Sequence, residues 1–142
     1  MELLAVVTLM GIFGSLAMAR YGPTLFGDFG SQAEARRISL ALLQAKRRAI
    51  TTGADHAVQF STSGATTYYS VVSYDGFGVA SLVDGPFAID TRVQIVPSHS
   101  EMIFNFEGQA AAAYQVALSG DHRAWNIAVV PISGAINVAQ GP

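Results

Sequence analysis

The residue best placed to do chemistry is a single acid at the edge of a long apolar run. Glu2 precedes residues 3–19, none of which carries an ionisable side chain, and the run ends at Arg20-Tyr21. An ionised carboxylate beside lipid costs at least about 2.5 to 3.5 kcal/mol unless it has a partner. Glu2 is therefore expected either to lie among lipid headgroups or to pair with a cation of another molecule.

The other residue types that commonly do chemistry form no recognisable site in the sequence. The histidines, His56, His99 and His122, lie far apart and show no metal-binding spacing. There is no cysteine, nucleophile elbow, phosphate-binding loop or dinucleotide fingerprint. We therefore predict no catalytic residue, no metal, no cofactor and no enzymatic activity.

Three aspartates and three tyrosines could also form sites, but each set has a structural explanation. Because no oxygen-rich loop surrounds them, three aspartates are interpreted as turn residues rather than calcium ligands: Asp84, Asp90 and Asp121. Three tyrosines could form a nucleic-acid platform with Arg92 or Arg123, but strand propensity also explains them: Tyr68, Tyr69 and Tyr74.

Length and composition limit the chain to one anchor and one domain. The 142 residues have a mean hydropathy of +0.36, 13% charged residues and a net charge of -2. About 100 to 120 residues remain after the apolar run, enough for a single hydrophobic core. The low charge gives no large field that would attract a polyanion, and it suits a surface that copies of the chain bury.

The apolar run predicts a membrane anchor. At about 1.5 Å per residue, residues 3–19 span roughly 26 Å, slightly less than the ~30 Å hydrocarbon core. A cleaved secretory signal is the alternative, because Ser15-Leu16-Ala17 and Ala17-Met18-Ala19 match the small-residue cleavage pattern. The glutamate within the run argues against that alternative.

A second helix is predicted after a break. Residues 22–30 contain several glycines and Pro23, so we expect no continuous helix there. The stretch is either a flexible tether or a melted linker with Leu25, Phe26 and Phe29 available to neighbours, and these large apolar side chains favour the linker. Ser31-Gln32-Ala33-Glu34 is a capping-box pattern that predicts a helix start, and Gly53 predicts its end. The predicted helix covers residues 31–52.

This helix is apolar on two sides, so we expect it to have two partners. The side expected to pack on the chain's own sheet carries Ile38, Ala41, Leu42, Ala45 and Ala49. The side expected to contact neighbouring subunits carries Leu40, Leu43 and Ile50. The cations around it are expected to be solvated, or else to contact another subunit, lipid phosphates or DNA: Arg36, Arg37, Lys46, Arg47 and Arg48.

From residue 55 onwards the pattern changes to short strands. We predict a hairpin of strands 56–61 and 66–74 around Thr62-Ser63-Gly64. Residues 76–85 are glycine-rich and predicted as loop, with a short strand at 79–83 as the alternative. Further strands are predicted at 87–89, 92–96, 102–106, 113–118, 123–130 and 136–138. Because Trp125, Ile127 and Val129 alternate, they should share the core face of one strand.

These elements predict an α+β fold in which a helix lies across an antiparallel β-sheet. The anchor and linker take residues 1–30. The globular domain takes residues 31–142, with its helix at 31–52 and its sheet within 55–139. No internal repeat and no second domain boundary is visible in the sequence.

The order Glu2-Leu3-Leu4-x-Val6 before an apolar run resembles the N-terminus of the type IV pilin family, which includes the pseudopilins of type II secretion. Mature chains of that family begin Phe-Thr-Leu-x-Glu-Leu-Leu, so Met1 matches the variable residue and Glu2 the family's glutamate. Segments 44–49, 103–108, 123–129 and 133–138 resemble one subfamily, the H-type pseudopilins and FimT-like minor pilins.

The resemblance implies a pilin fold and a structural role in a filament. Glu2 would pair with the N-terminal amine of a neighbouring subunit during assembly. The residues that would pack in the filament core are Leu3, Leu4, Val6, Val7, Leu9, Ile12, Phe13 and Leu16. The partners implied are the chain itself and other pilins, the inner membrane, and a prepilin peptidase acting on an upstream leader.

The resemblance also implies a location and a processed start. The chain would be a single-pass protein of the bacterial inner membrane with a periplasmic domain, and then part of a filament that can reach the cell surface. We expect the mature chain to start three residues before Met1, at a methylated phenylalanine.

Two other functions stay open at this point. One is a DNA-uptake minor pilin of the FimT-like type, and the other is a membrane-anchored ligand-binding β-domain. The FimT-like pilins that bind DNA have a basic C-terminal region, whereas residues 137–142 carry no cation. DNA is therefore the weaker of the expected partners.

Overall fold

The computed structural model describes the backbone of residues 2–141 and the side chains of residues 3–20 and 29–141. In this part of the chain, one long helix is followed by eight strands. The helix is α1 (Glu2–Thr52). The strands are β1 (His56–Ser63), β2 (Thr66–Tyr74), β3 (Ala80–Ala88), β4 (Gln94–Pro97), β5 (Glu101–Phe104), β6 (Tyr114–Ser119), β7 (Ala124–Val129) and β8 (Ile136–Gln140).

The helix α1 is continuous over its 51 residues, so the predicted break at 22–30 is wrong. Pro23 costs about 3 kcal/mol and each glycine about 1 kcal/mol inside a helix. Propagation nevertheless adds a hydrogen bond for every residue fixed, and long helical segments flank this stretch on both sides. Residues 22–30 are therefore helical within α1, although their sequence would not start a helix.

The predicted helix start at Ser31 is wrong for the same reason. Ser31 lies inside α1 and is fully buried, and Glu34 is buried as well. Instead of capping the helix, the Glu34 carboxylate accepts a hydrogen bond from Arg37 Nη1 at 2.8 Å. The predicted end is confirmed, because Gly53 has a positive φ of 70° and its N–H donates to Ala49 O.

The strands largely follow the alternation of the sequence. The β1–β2 hairpin is confirmed, with Gly64 in its turn at φ 62°. The loop predicted for residues 76–85 is wrong beyond Val79, because β3 runs without interruption from Ala80 to Ala88. Two register shifts against β2, between Tyr69 and Val71 and between Val71 and Val72, let β3 continue past Gly85.

The strands form two four-stranded antiparallel sheets. One has the order β3-β2-β1-β5, and the other has the order β4-β6-β7-β8. The predicted core face of α1 packs against both sheets, and Ile38, Leu42 and Ala45 are completely buried. Ile127 and Val129 are buried and Trp125 is half-buried, as their alternation predicts. An N-terminal apolar helix before an antiparallel β-domain confirms the predicted fold class.

Two loops are fixed to the C-terminal part of α1. Lys46 Nζ donates to Ser133 O at 2.8 Å and to Gly134 O at 3.1 Å. A Cβ atom at Gly134 would lie 2.0 Å from Gly108 O, and one at Gly108 would lie 2.7 Å from Ile50 Cδ1. Three of the segments that carry the pilin resemblance, 44–49, 103–108 and 133–138, therefore meet at one place.

Candidate functional site: an exposed apolar helix

The N-terminal part of α1 projects its side chains away from the domain. Among the described residues, Leu3–Arg20 is the one helical segment long and apolar enough to cross a membrane, and none of it is buried. Its large apolar side chains are 53% to 80% exposed on all sides of the helix. A helix that is apolar all round needs lipid or other helices around it.

Every residue predicted to pack in a filament core belongs to this exposed surface. These residues are Leu3, Leu4, Val6, Val7, Leu9, Ile12, Phe13 and Leu16. Their exposure leaves them available to a partner, and their packing in a filament stays a prediction. Glu2 is the first residue of α1, but its side chain lies outside the described residues, as do the side chains of Leu25 and Phe26.

The two hydroxyl side chains of this segment, Thr8 and Ser15, are hydrogen-bonded within the helix. Thr8 Oγ1 donates to the carbonyl oxygens of Leu4 or Ala5 at 2.9 Å, and Ser15 Oγ donates to Ile12 O at 2.8 Å. A hydroxyl that is already hydrogen-bonded to the backbone needs no further partner in an apolar environment. The segment is therefore chemically suited to lipid and to a helical core alike.

A second exposed surface continues along α1 beside the domain. Leu40 and Ile50 are 63% and 51% exposed, and Leu43 is half-buried. Phe29, at the start of this stretch, is 63% exposed. Ile38 and Leu42, on the opposite side of the same helix, are fully buried. The predicted division of the helix into an inner and an outer apolar face is confirmed.

Two cations near the outer face have partners within the chain. Arg37 forms an ion pair with Glu34 at 2.8 Å, and Lys46 binds the carbonyls of residues 133 and 134. The Arg37 side chain is nonetheless 48% exposed and Lys46 is half-buried, so their contact with solvent, lipid, DNA or another subunit stays a prediction. Arg36, Arg47 and Arg48 remain exposed on α1.

A polar cluster lies between α1 and β2. Glu34 is 94% buried, and its Oε2 atom has no hydrogen-bond partner among the described residues. Arg37 donates a hydrogen bond to Glu34, and its positive charge lowers the pKa of the Tyr69 hydroxyl. Burial raises the pKa of Tyr69, and this effect exceeds the lowering by Arg37. Glu34 and Tyr69 of this cluster are buried between α1 and the sheet, whereas the Arg37 side chain is 48% exposed.

The three aspartates singled out in the sequence are not brought together. Asp84 accepts from Gln44 Nε2 at 3.3 Å, and Asp121 is exposed in the β6–β7 turn. Asp90 accepts two side-chain hydrogen bonds from Arg92, which lower its pKa from 3.8 to about 2. Among the described residues, no group of three histidine, aspartate or glutamate side chains could hold a metal ion.

The histidines and tyrosines are also dispersed. His56 is buried with Nδ1 2.9 Å from Ala54 O, and the exposed His99 makes an edge contact with Tyr114. Tyr69 is buried against Phe87, and the Tyr74 hydroxyl donates to Glu101. Since Tyr69 is 96% buried, the three tyrosines do not form one surface on which bases could stack.

The arrangement of these elements defines the class of fold. A long helix that is apolar and exposed at its start, and that packs its second half on antiparallel sheets, is the fold of the pilins and pseudopilins. No protein-family model matches the sequence, and no curated protein sequence is significantly similar to it.

Particular solved structures share this fold at low sequence identity. A structure of the minor pseudopilin EpsH from the type II secretion system of Vibrio cholerae is 11% identical with a TM-score of 0.63, and covers 77% of this chain and 95% of that chain. A crystal structure of the same pseudopilin is 10% identical with a TM-score of 0.64, and the match covers 81% of this chain and 97% of that chain. A crystal structure of the type IV minor pilin FimU of Pseudomonas aeruginosa is 11% identical with a TM-score of 0.58, and the match covers 76% of this chain and 87% of that chain.

Sequence reasoning misses the contacts that hold α1 to the later loops. The sequence places Lys46 among the surface cations, although its Nζ binds two backbone carbonyls about 87 residues away. The available signal is a pair of positive-φ glycines, Gly108 and Gly134, which lie in two of the resembling segments. Nothing local in the sequence indicates that these two loops touch each other.

Proposed function

We propose that this chain is a structural subunit of a type IV pilus-like filament or of a type II secretion pseudopilus. It is held in the bacterial inner membrane by residues 3–19 with its β-domain in the periplasm, and it enters the filament by packing its N-terminal helix against those of its neighbours. The observation that carries the proposal is the apolar segment of α1, none of which is buried, on a pilin fold.

The energetics of this step rest on packing and on one charge. Because lipid tails and filament cores are equally apolar, moving the helix between them yields little hydrophobic free energy. Close packing and polar pairing must therefore provide the driving force. An ionised Glu2 in an apolar filament core would require a cation, and the N-terminal amine of a neighbour would meet that need.

The outer face of α1 would extend the same contact beyond the membrane segment. Phe29, Leu40 and Ile50 expose apolar surface on the stretch that follows the anchor. Burying one such side chain stabilises a contact by about 1.5 to 3 kcal/mol. The filament contact would therefore reach from the apolar anchor to the end of α1.

The Glu2→Gln variant tests the charge pairing. Removing one partner of a buried ion pair costs about 3 to 5 kcal/mol, which corresponds to at least 100-fold in the assembly equilibrium. We expect the variant to remain in the membrane fraction while the unaltered chain sediments with filaments. The matched control is Glu107→Gln, since Glu107 is an exposed acid in a domain loop. Normal filament incorporation of Glu2→Gln would contradict the proposed role of Glu2.

Intact mass and N-terminal sequence of the protein from its native membrane test the anchor itself. A mature start three residues before Met1, at a methylated phenylalanine, is expected from the proposal. A start beyond Ala19 would show a cleaved signal and would remove the anchor-based assembly mechanism.

A further inference from the structure

Charge is distributed unevenly along the chain. Residues 35–54, in the second half of α1 and just after it, carry five cations and no acid. Residues 55–142, which form the β-domain, carry seven acids and two cations. One molecule therefore has a basic helix and an acidic domain, so two copies attract each other through unlike surfaces.

Two arginines near the end of α1 are available to such a contact. Arg47 and Arg48 are exposed, and neither belongs to an ion pair among the described residues. Ile50, one turn further along the helix, is 51% exposed. A guanidinium binds carboxylates through a fork of N–H donors and also stacks on aromatic rings. This end of α1 therefore fits a surface that combines carboxylates with an aromatic group.

A surface with that chemistry lies at the C-terminal end of α1. A cavity of about 590 Å³ is lined there by Gly53 and Asp55, and by Tyr74 and Asp75 at the end of β2. Asp55 and Asp75 are exposed, and no ion pair among the described residues includes them. The last turn of α1 has no basic residue, and its terminal carbonyl groups add partial negative charge. The cavity therefore favours a cation.

An exposed aromatic side chain stands at the rim of this cavity. Phe77 is 95% exposed and lies between Gly76 and Gly78, which line the cavity. Its turn is fixed, because Asp75 Oδ1 accepts hydrogen bonds from Phe77 N–H at 2.9 Å and from Val79 N–H at 2.8 Å. A fixed turn loses little conformational entropy on binding, and the face of an aromatic ring attracts a guanidinium.

We propose that this cavity binds Arg47 and Arg48 of a second copy of this chain that stands beside it in the same membrane. The inference rests on the proposed function, in which residues 3–19 anchor every copy in the same orientation. The two arginines lie four and five residues before Thr52, the end of α1, which is about 6 to 8 Å along the helix axis. In parallel copies they therefore reach nearly the same height as the neighbour's cavity, and Ile50 can pack on Phe77.

The positions of these surfaces select a second copy over other anionic partners. Two identical helix faces would place arginines opposite arginines, which is repulsive. Arg47 is 27 residues beyond Arg20, or about 40 Å along the helix, whereas the headgroup layer is only about 5 to 8 Å thick, so lipid phosphates lie too far away. A nucleic acid would be repelled by the neighbouring acids. A parallel copy carries the complementary acids at the required height.

The contact joins different surfaces of the two copies. Such a heterologous contact leaves one pair of arginines and one cavity free at the two ends of the complex, so further copies can be added in a row. A few exposed ion pairs and one aromatic contact are individually weak. We therefore expect little association in dilute solution and substantial association where anchors concentrate the copies in one membrane.

Charge reversal in the full chain tests the contact. Copies with donor or acceptor dyes on Ser63→Cys, at the exposed end of β1, are placed in phosphatidylcholine vesicles, and energy transfer at rising chain-to-lipid ratio gives an association constant. Arg47→Glu with Arg48→Glu should lower this constant about tenfold or more, because repulsion replaces attraction. Asp55→Lys with Asp75→Asn should do the same, and the asparagine keeps a side-chain oxygen for the turn.

A mixture of the two charge variants should associate again. In the mixture the new glutamates of one copy face the new lysine of the other, and the native arginines face the native aspartates, so the constant should recover to within about threefold of the unaltered chain. The control Asp121→Lys reverses an acid near Arg92, away from the cavity, and should leave the constant unchanged.

The aromatic part of the contact has its own test. Phe77→Ala should lower the constant about threefold or more, because it removes the ring that the guanidinium and Ile50 contact. Val96→Ala, at an exposed position on an edge of the other sheet, should leave it unchanged.

Vesicle flotation separates this inference from the proposed anchor. A chain that floats with the vesicles but shows no energy transfer would overturn the contact alone, and a chain that does not float would overturn the anchor and the contact together. Equal association constants for the unaltered chain and both charge variants would also overturn the contact. The same holds if the mixed variants stay apart although circular dichroism shows that both are folded.

Discussion

At the scale of single residues, two glycines allow the later loops to close onto α1. Gly108 and Gly134 have φ values of 78° and 56°, where other residues are strained. Their backbones approach so closely that a Cβ atom at Gly134 would lie 2.0 Å from Gly108 O. Lys46 then bonds the carbonyls of residues 133 and 134, so the contact is both close-packed and hydrogen-bonded.

The Gly134→Ala variant should lose more stability than Gly64→Ala, because both glycines have a positive φ but only Gly64 has open space for an added methyl group. Gly64 has φ 62°, and no atom lies within 4 Å of the place that an added methyl group would take, so Gly64→Ala should cost about 1 kcal/mol. Gly134→Ala carries the same conformational cost and a clash with backbone, so we expect about 3 kcal/mol or more. Denaturant unfolding of both full-length variants in detergent measures the difference. Equal losses would show that the loops separate without penalty.

The Asp90–Arg92 pair predicts that the stability of the fold depends on pH in the acidic range. Side-chain hydrogen bonds from Arg92 lower the Asp90 pKa from 3.8 to about 2 in the folded state. A carboxyl whose folded pKa is below its unfolded pKa stabilises the fold above about pH 4 and loses this contribution as pH falls towards 2. The effect is small because solvent screens the pair.

Thermal unfolding between pH 5 and pH 2 measures this contribution. Asp90→Asn should show a shallower loss of melting temperature over that range than the unaltered chain. Asp55→Asn, at an exposed aspartate of the α1–β1 connection, should retain the full slope. Parallel slopes for Asp90→Asn and the unaltered chain would contradict the assigned role of Arg92.

At the scale of elements, α1 has a buried apolar face and an exposed apolar face on opposite sides. Leu42 is fully buried and Leu40 is 63% exposed, although they are two residues apart on the same helix. Leu42→Ala should cost about 2 to 5 kcal/mol of unfolding free energy, because it removes buried methyl groups and leaves a cavity. Leu40→Ala should change stability by no more than about 0.5 kcal/mol.

Assembly should respond to the same two variants in a different way. If the outer face contacts neighbours, Leu40→Ala reduces the fraction of chain in filaments without changing the unfolding curve. Leu42→Ala lowers both quantities, because an unfolded domain cannot assemble. Filament levels unaffected by Leu40→Ala and by Ile50→Ala would remove the outer face from the proposed contact.

Elements that depend on local pattern can be predicted from the sequence, and elements that depend on distant neighbours cannot. The β1–β2 hairpin and the inner face of α1 follow from alternation and helical spacing within a few residues. The capping box at Ser31 misleads because the helix already extends from upstream, and a cap matters only where a helix starts. The sequence pattern misses most of β3 because its pairing with β2 outweighs the weak strand preference of Gly85 and Pro86.

At the scale of the whole molecule, the division into two sheets and the position of the loops are not readable from the sequence. Which strand pairs with which is decided by contacts such as Gln94 with Ser119, across more than twenty residues. The exposed apolar segment can be predicted from the sequence, because an apolar run of this length has few alternatives in water. The segment that forms the candidate surface can therefore be predicted from the sequence. The hydrogen bonds from Lys46 to residues 133 and 134 can be found only in the three-dimensional structure.

The apolar segment Leu3–Arg20 lies outside the buried core, and this position gives a final prediction. Phe13 is 64% exposed and lies near the middle of Leu3–Arg20, so Phe13→Arg should leave the domain's unfolding curve unchanged. A charged residue at the centre of a membrane helix costs about 2.5 to 3.5 kcal/mol, so partitioning into vesicles should fall roughly 100-fold. Leu82→Arg, at an exposed position of β3, introduces the same charge on the domain and should keep full membrane binding. If both variants bound vesicles equally well, the membrane affinity would reside outside the apolar segment, and the exposed part of α1 would have to serve a protein partner alone.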